Sequence, residues 1–523
     1  MARAWLYRGL CLAGLVAPGL ARGDGDLRKV NHIILVVMEN HSFDNYLGAL
    51  AYAPGSPYHS PSRDLDPRAG CSDADHRCVD GLSCTVDRAG NYACGNSNLD
   101  VGGGWVTAFH DSRRCVAPDL DHEWVGAHRE ANFAHPNLAL LLPLNDGFVR
   151  QNDLTEQVDT GPESGTEDQT MSFYDQHEIP FYYDLASRFA LSDRYFSSVL
   201  GPTFPNRSYI LAATSFGHVT SADEIPPPGN YQPIHGTIFD LLDSHGVSWG
   251  EYFQDVPYGG TFRPFGVGAI DPHFFPLEVF LAQAAGSTDL PPLPSVVIVD
   301  PAFGFFGRSL ENDEHPPTDI QRGQAFVSQV VNALRNGPYW KDSILLITYD
   351  EHGGFYDHVR PPRANQGSAR TPDGIFPGQC ADLSNPPASL QPGGGAECST
   401  NFENPADNSV VDAIALCPAL GQNPTGPYPL LCASFDQLGF RVPLMAVSPF
   451  AKPRYVSHTV ADHTSLLALV EKRFLRTAAG VPHLTLRDAN ASTLEDLFDF
   501  DRSPSLNSPV SQAAPPAEDC TPP

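Results

Sequence analysis

The chain reads as an α/β protein built on a mostly parallel central sheet, and three observations point there. Two apolar runs rich in β-branched residues, Ile33 to Met38 and Ile344 to Thr348, have the uninterrupted pattern of strands buried on both faces. Each run stops abruptly at carboxylates, Glu39 in the first and Asp350 with Glu351 in the second, and a shorter run, Ser295 to Asp300, ends the same way. The amphipathic pattern of Ile320 to Asn336 separates the Asp300 run from the Ile344 run, so strand, helix and strand alternate. Residues delivered at strand carboxyl ends share one sheet edge, where α/β proteins keep their sites.

Taken in order, residues 1 to 21 read as a secretory leader. Arg3 and Arg8 precede the short apolar region Gly9 to Val16, and Gly19-Leu20-Ala21 supplies a small-x-small cleavage site. The apolar part is shorter than the ~20 residues that span a bilayer, so a secreted protein is expected. Cysteine usage agrees: of eleven, Cys11 leaves with the leader and ten remain, enough for five disulfides. Cys71, Cys78, Cys84, Cys94 and Cys115 crowd one region and Cys380, Cys398, Cys417 and Cys432 another. A zinc site is the alternative for the first group.

Both groups lie in Gly-, Asp- and Pro-rich sequence without apolar period, which marks insertions over about 51–100 and 363–436. With 523 residues in all, the expected organisation is one catalytic domain over 22–502 carrying those insertions, then a Pro/Ser-rich tail over 503–523. Further strands are expected at Leu191 to Arg194, Ser248 to Phe253 and Phe440 to Val447, and further helices at Phe181 to Phe189, Ser208 to Thr214 and Leu466 to Phe474.

The balance of 32 basic against 61 acidic residues, a net charge of -29, repels a nucleic-acid backbone or an anionic membrane. A phosphate-bearing substrate would therefore need local cations, and a bound metal ion supplies them economically. The paired carboxylates Asp350 and Glu351 would repel each other unless a cation or a shared proton lay between them, with a solvated acidic turn as the plainer reading, and His352, Asp357 and His358 follow within the same run. Glu39 and Asn40 match that pattern on the first strand, with a helix N-cap as their plainer reading. In Gly201-Pro202-Thr203-Phe204-Pro205-Asn206-Arg207-Ser208 a hydroxyl stands between prolines, followed by an amide and a guanidinium. This suits a fixed nucleophile with phosphate-orienting donors, or simply a proline turn capping a helix. His122 lies among acids in Asp119 to Trp124, and His315 follows Asn312-Asp313-Glu314. His463 falls in Asp462-His463-Thr464-Ser465 before a helix. The aromatic run Phe303 to Phe306 could form an apolar loop tip, but a core role is expected of it.

Together these segments resemble the phosphoesterase family of non-specific phospholipases C and secreted acid phosphatases. The resemblance rests on Val37 to Asp44, Gly201 to Arg207, Asn312 to Pro317, Tyr349 to Val359 and Arg441-Val442-Pro443, in that order, over about Val30 to Asp499. It implies an alkaline-phosphatase-like α/β/α sandwich and a divalent metal held by Glu39, Asn40, Asp350 and Glu351. Ca, Mg, Mn and Zn all suit an oxygen-rich set. It also implies Thr203 as nucleophile, His122 and His315 as phosphate-contacting or proton-moving groups, and Asn206 with Arg207 as substrate-binding residues. His352, Asp357, His358 and His463 take supporting places. His41 stands where the phospholipase motif commonly has arginine. The implied activity is phospholipase C through a phosphothreonine, with acid phosphatase acting on monoesters as the alternative. A non-catalytic secreted binding protein is a second alternative, which should have lost the threonine or a ligand; all are present here. Phospholipid or a small phosphoester is the expected partner, with no nucleic acid, at most peripheral membrane contact and no evident protein partner.

Overall fold

The computed structural model describes residues 26–62, 70–115, 119–160, 168–221, 230–263, 271–307, 310–364, 373, 375, 409–419, 432–507, 510 and 513. The leader, Cys380, Cys398, Cys520 and most of the 363–436 insertion lie outside them.

One eight-stranded sheet runs through the described chain. Its strands are β1 (His32–Met38), β2 (Ala190–Ser192), β3 (Trp249–Phe253), β4 (Phe274–Pro276), β5 (Val296–Asp300), β6 (Ser343–Tyr349), β7 (Leu444–Val447) and β8 (Tyr455–Ser457). Across the sheet the order is β4-β3-β5-β1-β6-β7-β2-β8. All neighbours pair in parallel except β7, which runs antiparallel to both β6 and β2. Every residue of β1, β5 and β6 is buried, so both faces of the central strands are covered. That is the burial of an α/β/α sandwich, and it explains why these strands read as unbroken apolar runs.

Register places the chemistry. Met38 pairs with Tyr349 and Val36 with Val299. Glu39, Asp350 and Asp300 therefore leave the sheet at one edge, on strands about 4.8 Å apart.

Helix Ile320–Asn336 starts where Asp319 accepts a hydrogen bond from the Gln321 amide, and it buries Phe326, Val327, Val330, Val331 and Leu334. Gly323 on that helix gives room to Glu314, because a Cβ there would fall 2.0 Å from the Glu314 Cγ.

Three expectations are corrected. Gly201 to Ser208 is not a turn before a helix: the helix spans Thr203–Ala212, with Pro205 inside its first turn, where a missing N–H costs nothing. The 51–100 region is not wholly irregular, since Cys84–Val86 pairs with Tyr92–Cys94 and Ser97–Leu99 with Trp105–Thr107. Phe305 and Phe306 are not core residues but stand 67% and 69% exposed. Disulfides join Cys71 to Cys78, Cys84 to Cys94 and Cys417 to Cys432, and Cys115 is disulfide-bonded as well. Cys71 and Cys78, like Cys84 and Cys94, are thus staples rather than zinc ligands.

Candidate active site

The two strand ends meet through tight backbone turns. Asn40 is left-handed at φ 64°, and Gly353 and Gly354 follow at φ 62° and 71°. A Cβ on Gly353 would lie 2.2 Å from the Asn40 carbonyl, and one on Gly354 would lie 2.5 Å from the Leu120 Cβ. These glycines let the β6 turn press against Asn40 on one side and the segment carrying His122 on the other. The Asp350 carboxylate accepts from the backbone amides of Glu351 at 2.7 Å and Asn40 at 3.3 Å, which locks the two turns together.

Arg207 ties the Thr203 helix to this edge. Its guanidinium spans Glu39 at 3.0 Å and Asp350 at 3.1 Å and also donates to the Val37 and Met38 carbonyls. Thr203 is half-buried one turn earlier, on the same helix face. Arg207, expected to bind substrate, thus turns its buried charge onto the two carboxylates. Asn206, expected to orient a phosphoryl oxygen, is fully buried and committed to the chain. It accepts from the Val199 amide and donates to the Gly201 and Pro202 carbonyls, fixing the loop that presents Thr203.

The two histidines face each other with ring centroids 5.8 Å apart. His315 bridges Glu39 and Asp119 at 3.0 Å each, and His122 lies 4.0 Å from Glu351 and 3.8 Å from Asp119. Burial opposes charge on His122, but Glu351 and Asp119 outweigh it and push its pKa up to about 9. His315, buried too, is raised well above its ordinary value by Asp119 and Glu39. The same neighbouring carboxylates thus favour the charged form of both rings. Asp119, which holds them together, went unassigned in the sequence although it opens the acidic run around His122.

Supporting contacts surround the edge. His352 joins the buried Glu130 at 2.6 Å to Glu351 at 3.0 Å. His463 donates from Nε2 to the Asp350 carbonyl at 2.6 Å and accepts the Tyr195 hydroxyl at Nδ1. Glu314, at φ 77° just before His315, accepts from the hydroxyls of Tyr46, Tyr182 and Tyr349 at 2.7, 2.7 and 2.5 Å. Asp357 and His358 belong elsewhere: Asp357 pairs with the fully buried Arg441, and His358 bridges Asp44 and Asp80. These two residues brace the turn after the site rather than the site itself.

Among the described residues, the group at this edge whose ligand atoms lie close enough together to hold a metal ion is Asp119, His122 and His315; Glu39, Asp350 and Glu351 do not form such a group. Asn40 Oδ1 and Glu351 Oε1 are buried and accept no hydrogen bond, where nearly all such atoms in folded proteins have a partner. Burial, with Glu39 and Glu351 beside it, pushes the Asp350 pKa up to about 7 against the opposing pull of Arg207. A hard, oxygen-seeking cation would give the Asn40 and Glu351 oxygens a partner.

Residues 30–475 match the family model of the phosphoesterase family. The chain belongs to the phosphoesterase family. It is a hydrolase acting on phosphoric ester bonds. Among curated phosphoesterase relatives, non-specific phospholipase C6 of Arabidopsis thaliana is 27% identical over 497 residues, covering 92% of this chain and 74% of that protein. Phospholipase C B of Mycobacterium tuberculosis (strain ATCC 25618 / H37Rv) is 28% identical over 546 residues, covering 98% and 87%. Of solved structures, a protein in the alkaline phosphatase superfamily from Vibrio parahaemolyticus aligns with TM-score 0.29 and 10% identity over 60% of this chain and 64% of its own.

Proposed function

We propose that this phosphoesterase is a secreted, metal-dependent phospholipase C that cleaves phospholipids to diacylglycerol and a phosphorylated head group through an ester on Thr203. The observation that carries the reading is the pair of buried oxygens on Asn40 and Glu351 that accept no hydrogen bond, flanked by His122 and His315. The phospholipase C relatives, which span nearly the whole chain, support the diester substrate. The leader-like N-terminus and the disulfides support secretion.

Glu39, Asn40, Asp350 and Glu351 would hold the divalent cation, which when bound offsets charge on the phosphoryl group and lowers the pKa of the attacking hydroxyl. Everything else falls to the chain's own residues. The Thr203 hydroxyl gives its proton to solvent as its Oγ attacks phosphorus from the amino end of its helix, whose dipole favours the developing negative charge. As the bond to the glycerol oxygen breaks, His122 or His315 gives that alkoxide its proton. Water then attacks the Thr203 ester, its proton passes back to the histidine, and the Thr203 Oγ leaves and takes up a proton from solvent as the phosphorylated head group departs. Arg207 holds the Thr203 helix in register with Glu39 and Asp350 throughout.

Purified protein assayed on phosphatidylcholine and on p-nitrophenyl phosphate, with and without chelator, tests the reading. Hydrolysis of the phospholipid is expected to cease on chelation and to fall about a thousandfold or more in Thr203→Ala. Turnover of the monoester alone would make the enzyme an acid phosphatase instead. Activity that survives chelation would overturn the ligand set.

A further inference from the structure

The loop that leads from β5 to His315 carries an apolar tip on a hydrogen-bonded neck. Its neck is closed twice at one point: the Ala302 amide donates to the Asn312 side chain at 2.7 Å and the Asn312 amide to the Ala302 carbonyl at 3.0 Å. Asn312 is pinned in turn on Gln254 at 2.7 Å, and the Phe305 amide on Asp255 at 3.0 Å. Gly304 and Gly307, at φ 73° and 130°, fold the tip back, with the Gly307 amide on the Gly304 carbonyl at 2.9 Å. Beyond the neck stand Phe305 and Phe306, 67% and 69% exposed, with Leu310 at 60%. Below them Phe303 lies 4.7 Å over the Arg207 guanidinium.

Single exposed apolar residues are ordinary, but three within six residues on a braced loop are not. The position is also specific, because the loop starts at the sheet edge that carries Glu39 and Asp350 and ends three residues before His315. We propose that Phe305, Phe306 and Leu310 insert into the surface of an electroneutral phospholipid layer and dock the active site on it. This rests on the phospholipase reading above and names how the substrate is met. The net charge of -29 selects the occupant, since an anionic surface would repel the protein while a zwitterionic one leaves apolar burial unopposed.

Vesicle co-sedimentation with phosphatidylcholine, and with phosphatidylcholine containing phosphatidylglycerol, tests this in wild type and in the double variant Phe305→Ser and Phe306→Ser. Trp105→Ser, which removes an equally exposed aromatic from the Ser97–Thr107 hairpin, is the control. The double variant should bind neutral vesicles roughly tenfold more weakly or worse for each phenylalanine removed. It should hydrolyse vesicle phospholipid in proportion and melt with wild type. It should also cleave the soluble diester p-nitrophenyl phosphorylcholine with unchanged kcat and KM. Wild type should prefer neutral to anionic vesicles. Equal vesicle binding by variant and wild type would overturn the proposal, and so would an equal loss of soluble-diester turnover, which would place these side chains in the site. A wild type that binds neutral vesicles through these residues yet hydrolyses no phospholipid would uphold the docking loop and contradict the substrate reading.

Discussion

Gly354→Ala separates catalytic placement from folding. Gly354 sits at φ 71°, where a Cβ costs about 1–2 kcal/mol, and the added carbon would lie 2.5 Å from the Leu120 Cβ and 2.9 Å from the Asp121 carbonyl. Carbon atoms in contact prefer about 3.5–4.0 Å, so the turn and the Leu120 segment must part by about 1 Å, adding about 1–3 kcal/mol of overpacking. The expected loss of stability is about 2–5 kcal/mol. His122 lies two residues beyond Leu120, 4.0 Å from Glu351, and should move with it. A displacement of about 1 Å at a reacting group costs about a hundredfold in rate. Urea unfolding should be measured beside kcat and KM on p-nitrophenyl phosphorylcholine. Gly90→Ala is the control, at φ 90° with nothing within 4 Å of its added Cβ. It should lose about 1–2 kcal/mol and keep its kcat. A Gly354→Ala enzyme that is less stable but turns over like wild type would refute the placement of His122 by this contact.

His358→Gln should make stability less dependent on pH. Burial opposes the His358 charge, but Asp44 and Asp80 raise its pKa to about 9, above the ~6.5 of an unfolded histidine. Its contribution, up to about 3 kcal/mol, is fully present below about pH 6.5 and is lost as pH rises through about 9. The gap between wild type and variant in urea unfolding should therefore close between about pH 6 and 10; a constant gap would contradict it. Glu314→Gln offers one acceptor oxygen to three tyrosine hydroxyls and should destabilise by about 1–3 kcal/mol. Because Glu314 sets the backbone before His315, kcat should fall as well, and unchanged stability would show that the tyrosines find other partners.

The parts of the fold that could be read from the sequence were those where one local pattern answers to one physical cause. β1, β5 and β6 are buried on both faces, so their apolar runs are continuous, and helix Ile320–Asn336 presents its apolar stripe at helical spacing. Their acidic ends gave Glu39 and Asp350, and parallel register brought those together. The antiparallel direction of β7 was hidden, because a short apolar strand looks alike in either direction. Pro202 and Pro205 suggested a turn at Thr203, since proline punctuates loops as readily as it opens helices. Residues that act across the chain were the least legible. Asp119 reaches His315 and Glu130 reaches His352 over about two hundred residues of sequence, and nothing local to either acid announces its partner. Asn206 is the opposite case: its amide is satisfied within its own loop.

The covalent ester on Thr203 is the centre of the account, and it can be looked for directly. Enzyme quenched in acid during steady turnover of phosphatidylcholine, digested and examined by mass spectrometry, should yield the peptide containing Thr203 with the phosphorylated head group attached at that residue. The adduct should be absent from Thr203→Ala. An adduct on another residue, or an unmodified Thr203 peptide from an enzyme shown by burst kinetics to accumulate a covalent intermediate, would contradict it.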